Sequence, residues 1–301
     1  MKKVVSVSLG SSQRDHSVVT RLLGQEICLQ RIGTDGDPER ARQLYTELDG
    51  KVDALGVGGI DLTLSVRDRH YPLHQAWKLV AGVRHTPVLD GEGLKRTLER
   101  RVMQYVEAEI GDQIWPKRGL VTTAVDRFGM ALSFAEAGYE MVYGDLMFSL
   151  GLPIALHSIH TVEILARLLL PVLGYLPISF LYPTGEKQET IKPRWEKYYQ
   201  WASVIAGDFL YIKRHLPPLL DGKVIVTNTT TLADVTLLRE RGVRYLVTTT
   251  PRLEGRSFGT NVMEAALVAV SGLGRRLSTQ ELEEMLASLD IKPTIERLRP
   301  G

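Results

Sequence analysis

Residues 118–145 read RGLVTTAVDRFGMALSFAEAGYEMVYGD, and their pattern decides the fold. An apolar run, Leu120 to Val125, stops at Asp126. A helix-like segment from Arg127 to Ala137 follows, with Phe128, Leu132 and Ala135 on its apolar side, and Gly138 ends it where a helix takes a left-handed residue. A second apolar run, Met141 to Tyr143, stops at Gly144-Asp145. Strand, helix and strand at this spacing make a βαβ unit. Its parallel strands are buried on both faces and so read as unbroken apolar runs.

The same grammar returns downstream. Ser203 to Ala206 runs into Gly207-Asp208, and Val224 to Thr227 runs into Asn228-Thr229-Thr230. A helix opens at Thr231 with Asp234 three residues on, and closes at Gly242. Tyr245 to Thr248 then runs into Thr249-Thr250-Pro251. Five expected strands therefore end in Asp126, Asp145, Asp208, Asn228 and Thr250. Ligands of open α/β sheets sit in the crevice outside the carboxyl ends of the strands. Asp, Asn and Thr are also the preferred N-caps of the following helices. Two Gly-Asp pairs and runs of threonine exceed what capping requires.

The first third reads as a separate α/β unit. Lys3 to Ser8 is a strand with Ser6 and Ser8 on one face, and Ser17–Leu23 and Glu26–Ile32 form a hairpin turning at Gly24-Gln25. Asp37 caps a helix with Pro38 at its first position. Val52 to Val57 leads into Gly58-Gly59-Ile60-Asp61, and Asp90-Gly91-Glu92-Gly93 opens a long helix expected over Leu94–Ile110. The expected division is an N-terminal α/β domain over 1–113 and a Rossmann-like, doubly wound parallel-sheet domain over 117–275. A helix and tail over 276–301 complete it. Residues 146–181 form a very apolar helical insert whose prolines, glycine and Arg167 argue against a membrane span. An oligomer contact through this segment is the alternative.

Composition bounds the function. At 44% hydrophobic, 24% charged and net charge +2, the chain reads as globular, with no basic stripe for nucleic acid. The single cysteine, Cys28, excludes an intrachain disulfide framework and fits a reducing compartment. The N-terminal MKKVVSVSLG lacks the features of a secretory signal, so a cytoplasmic location is expected.

No G-x-G-x-x-G, P-loop, nucleophile elbow or zinc pattern is present. The first turn of the βαβ unit, Asp126-Arg127-Phe128-Gly129, offers one glycine and an acid where a pyrophosphate would approach. Asp145, at the end of the second strand, is placed to hold ribose hydroxyls and to favour NAD over NADP. His157 and His160 share a helix face but read as core or surface histidines, and no metal site is expected. The polar loop 184–189 reads as a lid or a solvated loop. Arg256 beside Ser257 at a helix start reads as an anion contact or a solvated arginine.

Several phrases carry a resemblance: VSVSLGSSQRDH (5–16), IGTDGD (32–37), GVGGIDL (56–62), VDRFGMA (125–131), YPTGEKQE (182–189), IAGDF (205–209) and GRSFGTNVMEA (255–265). Together they resemble a bacterial family carried under the name quinate 5-dehydrogenase. The resemblance implies an N-terminal substrate domain and a C-terminal nicotinamide-binding domain. Ser6 and Ser8 then stand where that family's serine pair binds the polyol acid, and Asn228-Thr229-Thr230 is similar to its Asn-Thr stretch without the following proline. The family's substrate-lysine motif and glycine-rich turn are absent. The expected function is an NAD(P)-dependent oxidoreductase acting on a small hydroxylated carboxylate. In it Asp126, Arg127, Gly129, Asp145, Asp208, Asn228, Thr229, Thr230 and Thr250 surround the cofactor, NAD. Lys95 with Asp61 or Asp90 is the expected proton-transfer set, against the plainer reading of Lys95 as a solvated lysine. The rival readings are a non-redox protein for a nucleotide or phosphate ligand, using the aspartates with Mg²⁺, and a two-domain ligand sensor.

Overall fold

In the structure, a computed structural model, residues 1–182, 190–253 and 256–299 are described. The loop expected as a lid, and the side chain of Arg256, lie outside the described residues. The chain folds into two compact units, each drawn from three stretches.

The first unit comprises Met1–Leu94, Leu169–Gln188 and Gly259–Ile291. Its strands are β1 (Lys2–Ser8), β2 (His16–Leu22), β3 (Gln25–Gly33), β4 (Ala54–Gly58), the hairpin β5 (Thr63–Val66) and β6 (Arg69–Pro72), and β7 (Val88–Leu89). The main sheet runs β2-β3-β1-β4-β7. β3, β1, β4 and β7 are mutually parallel, while β2 pairs antiparallel with β3 as the expected hairpin. Asp37 caps the helix Pro38–Leu48 through the Glu39 and Arg40 amides. The helix Thr260–Ser271 packs on β1 and β4. That packing joins a late stretch of sequence to the first strands, so the units do not follow the linear division at 113 and 275. Val5, Val7, Leu55, Val57, Tyr45 and Leu79 centre the core.

The second unit comprises Lys95–Leu168, Glu189–Phe258 and Lys292–Gly301. Its strands are β8 (Arg118–Val121), β9 (Glu140–Tyr143), β10 (Val204–Ala206), β11 (Val224–Thr227), β12 (Tyr245–Thr248), the short pair β13 (Arg252–Leu253) and β14 (Arg256–Ser257), and β15 (Thr294–Arg297). The sheet runs β15-β12-β11-β10-β8-β9, parallel except for β15. Counted from β8, the parallel strands lie in the order 2-1-3-4-5, the flavodoxin-like arrangement. The 3-2-1-4-5-6 order of classical dinucleotide-binding sheets is not what forms. The chain leaves β8 toward one edge and returns at β10 on the other side, so the topological switch point lies between β8 and β10. In the first unit the parallel order is 2-1-3-4, with the switch between β1 and β4.

The long helix expected over Leu94–Ile110 is broken into Glu92–Arg96, a 3₁₀ turn at Glu99–Arg101 and Val102–Ile110. The break lets Glu99, which a straight helix would carry on past, turn fully inward. Residues 146–181 give short helical pieces and the helix Ile159–Leu173, with Pro171 in its last turn. Among the described residues no helix is long and apolar enough to cross a membrane.

Candidate functional site

The loops that follow β8 and β10 flank the switch point of the second unit, and they meet through Arg127. Its guanidinium donates to Asp208 Oδ2 and to Glu99 Oε1, each at 2.7 Å, and its Nε lies 3.3 Å from Asp126 Oδ2. Lys95 Nζ donates to Asp126 Oδ1 at 2.7 Å. Asn228 Nδ2, from the end of β11, donates to Asp208 Oδ2 at 3.1 Å, and Thr249 Oγ1 reaches Glu99 Oε1 at 3.4 Å. The loops after four parallel strands, β8, β10, β11 and β12, thus meet in one network.

The network has depth. Arg127 and Glu99 form its floor, with side chains 4% and 0% exposed, while Asp126 at 13% and Asp208 at 20% form its outer layer. Burial pushes the Glu99 carboxyl above its ordinary range, and the Arg127 and Lys95 charges pull it back. Glu99 Oε2 and Thr123 Oγ1 are buried without a hydrogen-bond partner. Leaving such atoms unsatisfied costs about 1–3 kcal/mol each. At full charge, Lys95 and Arg127 against Glu99, Asp126 and Asp208 leave one excess negative charge.

Each strand-end residue has a defined place. Asp208 does cap its helix, through Oδ1 and the Leu210 amide at 3.0 Å, while its other oxygen serves Arg127. Asn228 caps nothing, since Thr231 and Asp234 form the capping box of the next helix. Thr250 Oγ1 donates to the Asn228 and Phe258 carbonyls, and the Thr230 amide donates to Ser257 Oγ at 2.8 Å. Thr229 is half-buried. Asp145 Oδ1 accepts from the Val125 amide at 2.8 Å. Gly129 faces the Lys95 carbonyl, which a Cβ there would overlap.

In the first unit, Asn261 Nδ2 donates to Ser6 Oγ at 2.6 Å, and Ser8 Oγ accepts from Arg31 at 3.0 Å and from the Gly10 amide at 3.1 Å. Asp61 accepts from the Tyr182 hydroxyl at 2.9 Å. Asp90 accepts from the Leu62 amide and from Arg276, each at 3.0 Å. Lys95, expected to act in proton transfer, forms an ion pair with Asp126. His157 turns to the Met141 carbonyl and His160 toward Glu163, so the two histidines do not converge. Among the described residues no group of three or more His, Cys, Asp or Glu is arranged to hold a metal.

Glu99 was missed by sequence reading. It sits in LERR, inside the stretch expected as one long helix, and the break in that helix turns it inward.

Residues 93–298 match a family model described as a domain of unknown function (DUF8754), and residues 3–90 match another, DUF8753. No curated relative matches the sequence. Among solved structures, a Mycobacterium smegmatis protein in complex with β-D-fucofuranose is 12% identical, with 99% of each chain covered and a TM-score of 0.36. A galactofuranose binding protein is 10% identical, over 99% of this chain and 95% of that one, with a TM-score of 0.36. The substrate-binding protein of a sugar ABC transport system from Bordetella parapertussis 12822 is 12% identical, over 94% and 81%, with a TM-score of 0.32.

These findings correct the resemblance to quinate 5-dehydrogenase. The family models that match are described as domains of unknown function, not as that family. The expectation of an NAD-dependent oxidoreductase falls with it.

Proposed function

The chain belongs to the family described as a domain of unknown function (DUF8754), and we propose that it binds, without chemical conversion, a neutral polyhydroxylated small molecule of the sugar class. The observation that supports this most is the layered network at the switch point: two outer carboxylates, Asp126 and Asp208, held in place by a buried arginine.

Each sugar hydroxyl donates one hydrogen bond and accepts others. Carboxylates beside an ammonium and an amide offer the matching alternation: Asp126 and Asp208 accept, while Lys95 and Asn228 donate. Hydrogen bonds to charged acceptors contribute about 1.5–3 kcal/mol each, provided the acceptor is fixed beforehand. Arg127 fixes both. A phosphate or carboxylate ligand is disfavoured, because the guanidinium is already engaged by three carboxylates and the local excess is negative.

The test is calorimetric titration with D-galactose, D-fucose, methyl β-D-galactofuranoside, galactose 1-phosphate, inorganic phosphate and NAD. Binding of at least one neutral sugar, with weaker binding of its phosphate, is the expected result. Tight binding of NAD or the phosphates, with none of the neutral sugars bound, overturns the proposal.

A further inference from the structure

Asp145 follows β9 after a single residue, Gly144, and opens the short helix Asp145–Phe148 beside the loop after β8. Its Oδ1 accepts from the Val125 amide, one residue before Asp126 and two before Arg127. The adjacent backbone is stitched to the same loop: the Gly144 amide donates to the Val121 carbonyl at 2.8 Å. A Cβ at Gly144 would press on the Thr122 carbonyl and Phe148. The second carboxyl oxygen, Oδ2, is buried without a hydrogen-bond partner. A buried acceptor left unsatisfied is costly. The Oδ1 contact is what a carboxylate at this position provides in return.

We infer that Asp145 is a positioning residue: by holding the Val125 amide it fixes where Asp126 and Arg127 present their side chains, and so sets ligand affinity without touching the ligand. The inference rests on the ligand site proposed above. Two titratable groups face the carboxyl, Asp126 from the loop after β8 and Tyr143 from the end of β9. Burial foremost, opposed by backbone amides and reinforced by the Asp126 charge, pushes it up to about 6. Protonation near that pH weakens the acceptor, so the hold on the loop and the affinity both decline as pH falls through about 6.

The experiment uses the full chain as wild type, Asp145→Ala and Asp145→Asn. Hydrogen exchange is followed in peptides spanning residues 122–128, corrected for intrinsic rates, at about pH 5 and about pH 8. Affinity for methyl β-D-galactofuranoside is measured in parallel. The alanine variant should speed exchange at Val125 and weaken the sugar, each about tenfold, the equivalent of one lost hydrogen bond. Asparagine keeps a neutral Oδ1 acceptor, as the protonated carboxyl does, so at both pH values it should show the exchange and affinity that the wild type shows at about pH 5, short of the alanine loss and with no pH difference. Unchanged exchange in the alanine variant overturns the inference, as does an asparagine variant that behaves like alanine. If wild type binds no sugar, the functional reading fails, and the exchange comparison still decides whether Asp145 holds the loop.

Discussion

The side chain that Gly129 lacks would overlap the carbonyl oxygen of Lys95, so the helix Phe128–Glu136 rests directly on the backbone of the residue that pairs with Asp126. Helix, ion pair and switch-point loop are thereby packed against one another. Gly129→Ala forces that contact apart. Overpacking of this kind costs about 1–3 kcal/mol, since the neighbouring atom is backbone and cannot swing away. Chemical denaturation should show that loss, and sugar affinity should fall with it because Lys95 is displaced. A stable variant with full affinity would mean the contact is unimportant.

Arg127 should be the most sensitive polar residue of the second unit. Arg127→Met leaves Glu99, Asp126 and Asp208 facing one another without their common partner. Removing one member of a buried charged set costs about 3–5 kcal/mol. At about 2–4 °C per kcal/mol for domains of this size, the melting temperature should drop by roughly 10 °C. Arg127→Lys should recover only part, because an ammonium cannot span three carboxylates in a plane. A double variant with Glu99→Gln should lose less than the sum of the single losses. Strict additivity would show that the two side chains are not coupled.

Stability should decline from mildly acid to mildly alkaline pH. Burial, with the Asp90 charge, pushes the Glu264 carboxyl up to about 7 from 4.5. A raised acid is protonated in the folded chain over a range where the unfolded chain has already ionised. Folding is therefore favoured below the unfolded value and loses that advantage as pH rises through the folded one. For Glu264 the window runs from 4.5 to about 7, and Asp145 acts in the same sense between 3.8 and about 6. The displacement at Glu264 corresponds to about 3 kcal/mol. Asp49, held at about 2 by the Arg84, His85 and Thr86 amides against its own burial, loses its contribution only as pH falls through that value, outside this window. Melting temperatures at about pH 5 and about pH 8 should differ by several degrees, and Glu264→Gln should flatten the slope. A flat wild-type profile would contradict the buried state assigned to both acids.

Much of this was legible in the sequence, and the limits have physical causes. Unbroken apolar runs ending at Asp126, Gly144-Asp145, Gly207-Asp208, Asn228-Thr229-Thr230 and Thr249-Thr250 mark five parallel strands, because burial on both faces leaves no alternation. The capping boxes at Thr231 and Ser278 form as their spacing implies. Strand order is a different matter. Nothing local to β9 or β10 tells on which side of β8 each will lie, and that choice alone separates a flavodoxin-like from a dinucleotide-binding sheet. The acid after β9 illustrates the consequence: Asp145 stands where a ribose-binding carboxylate belongs, yet its partner is the Val125 amide. Glu99 was hidden for another reason, since an inward carboxylate is defined by its arginine, 28 residues away.

The sharpest prediction separates a neutral ligand from an anionic one. If Asp126 and Asp208 are the acceptors for sugar hydroxyls, a neutral sugar at a hundredfold excess over Kd adds roughly 2.7 kcal/mol to stability. Its phosphate adds less, because a second negative charge enters a region already carrying one in excess. Asp208→Asn keeps the size and one acceptor oxygen, and removes the excess charge. It should weaken the neutral sugar by about tenfold, since a charge-assisted hydrogen bond becomes an ordinary one. It should also narrow or reverse the preference over the phosphate. The readout is the pair of thermal shifts, sugar and sugar phosphate, in wild type and variant at matched low salt, where screening does not mask the effect. If the variant weakens both ligands equally, Asp208 acts through shape alone, and the charge argument for a neutral ligand is wrong.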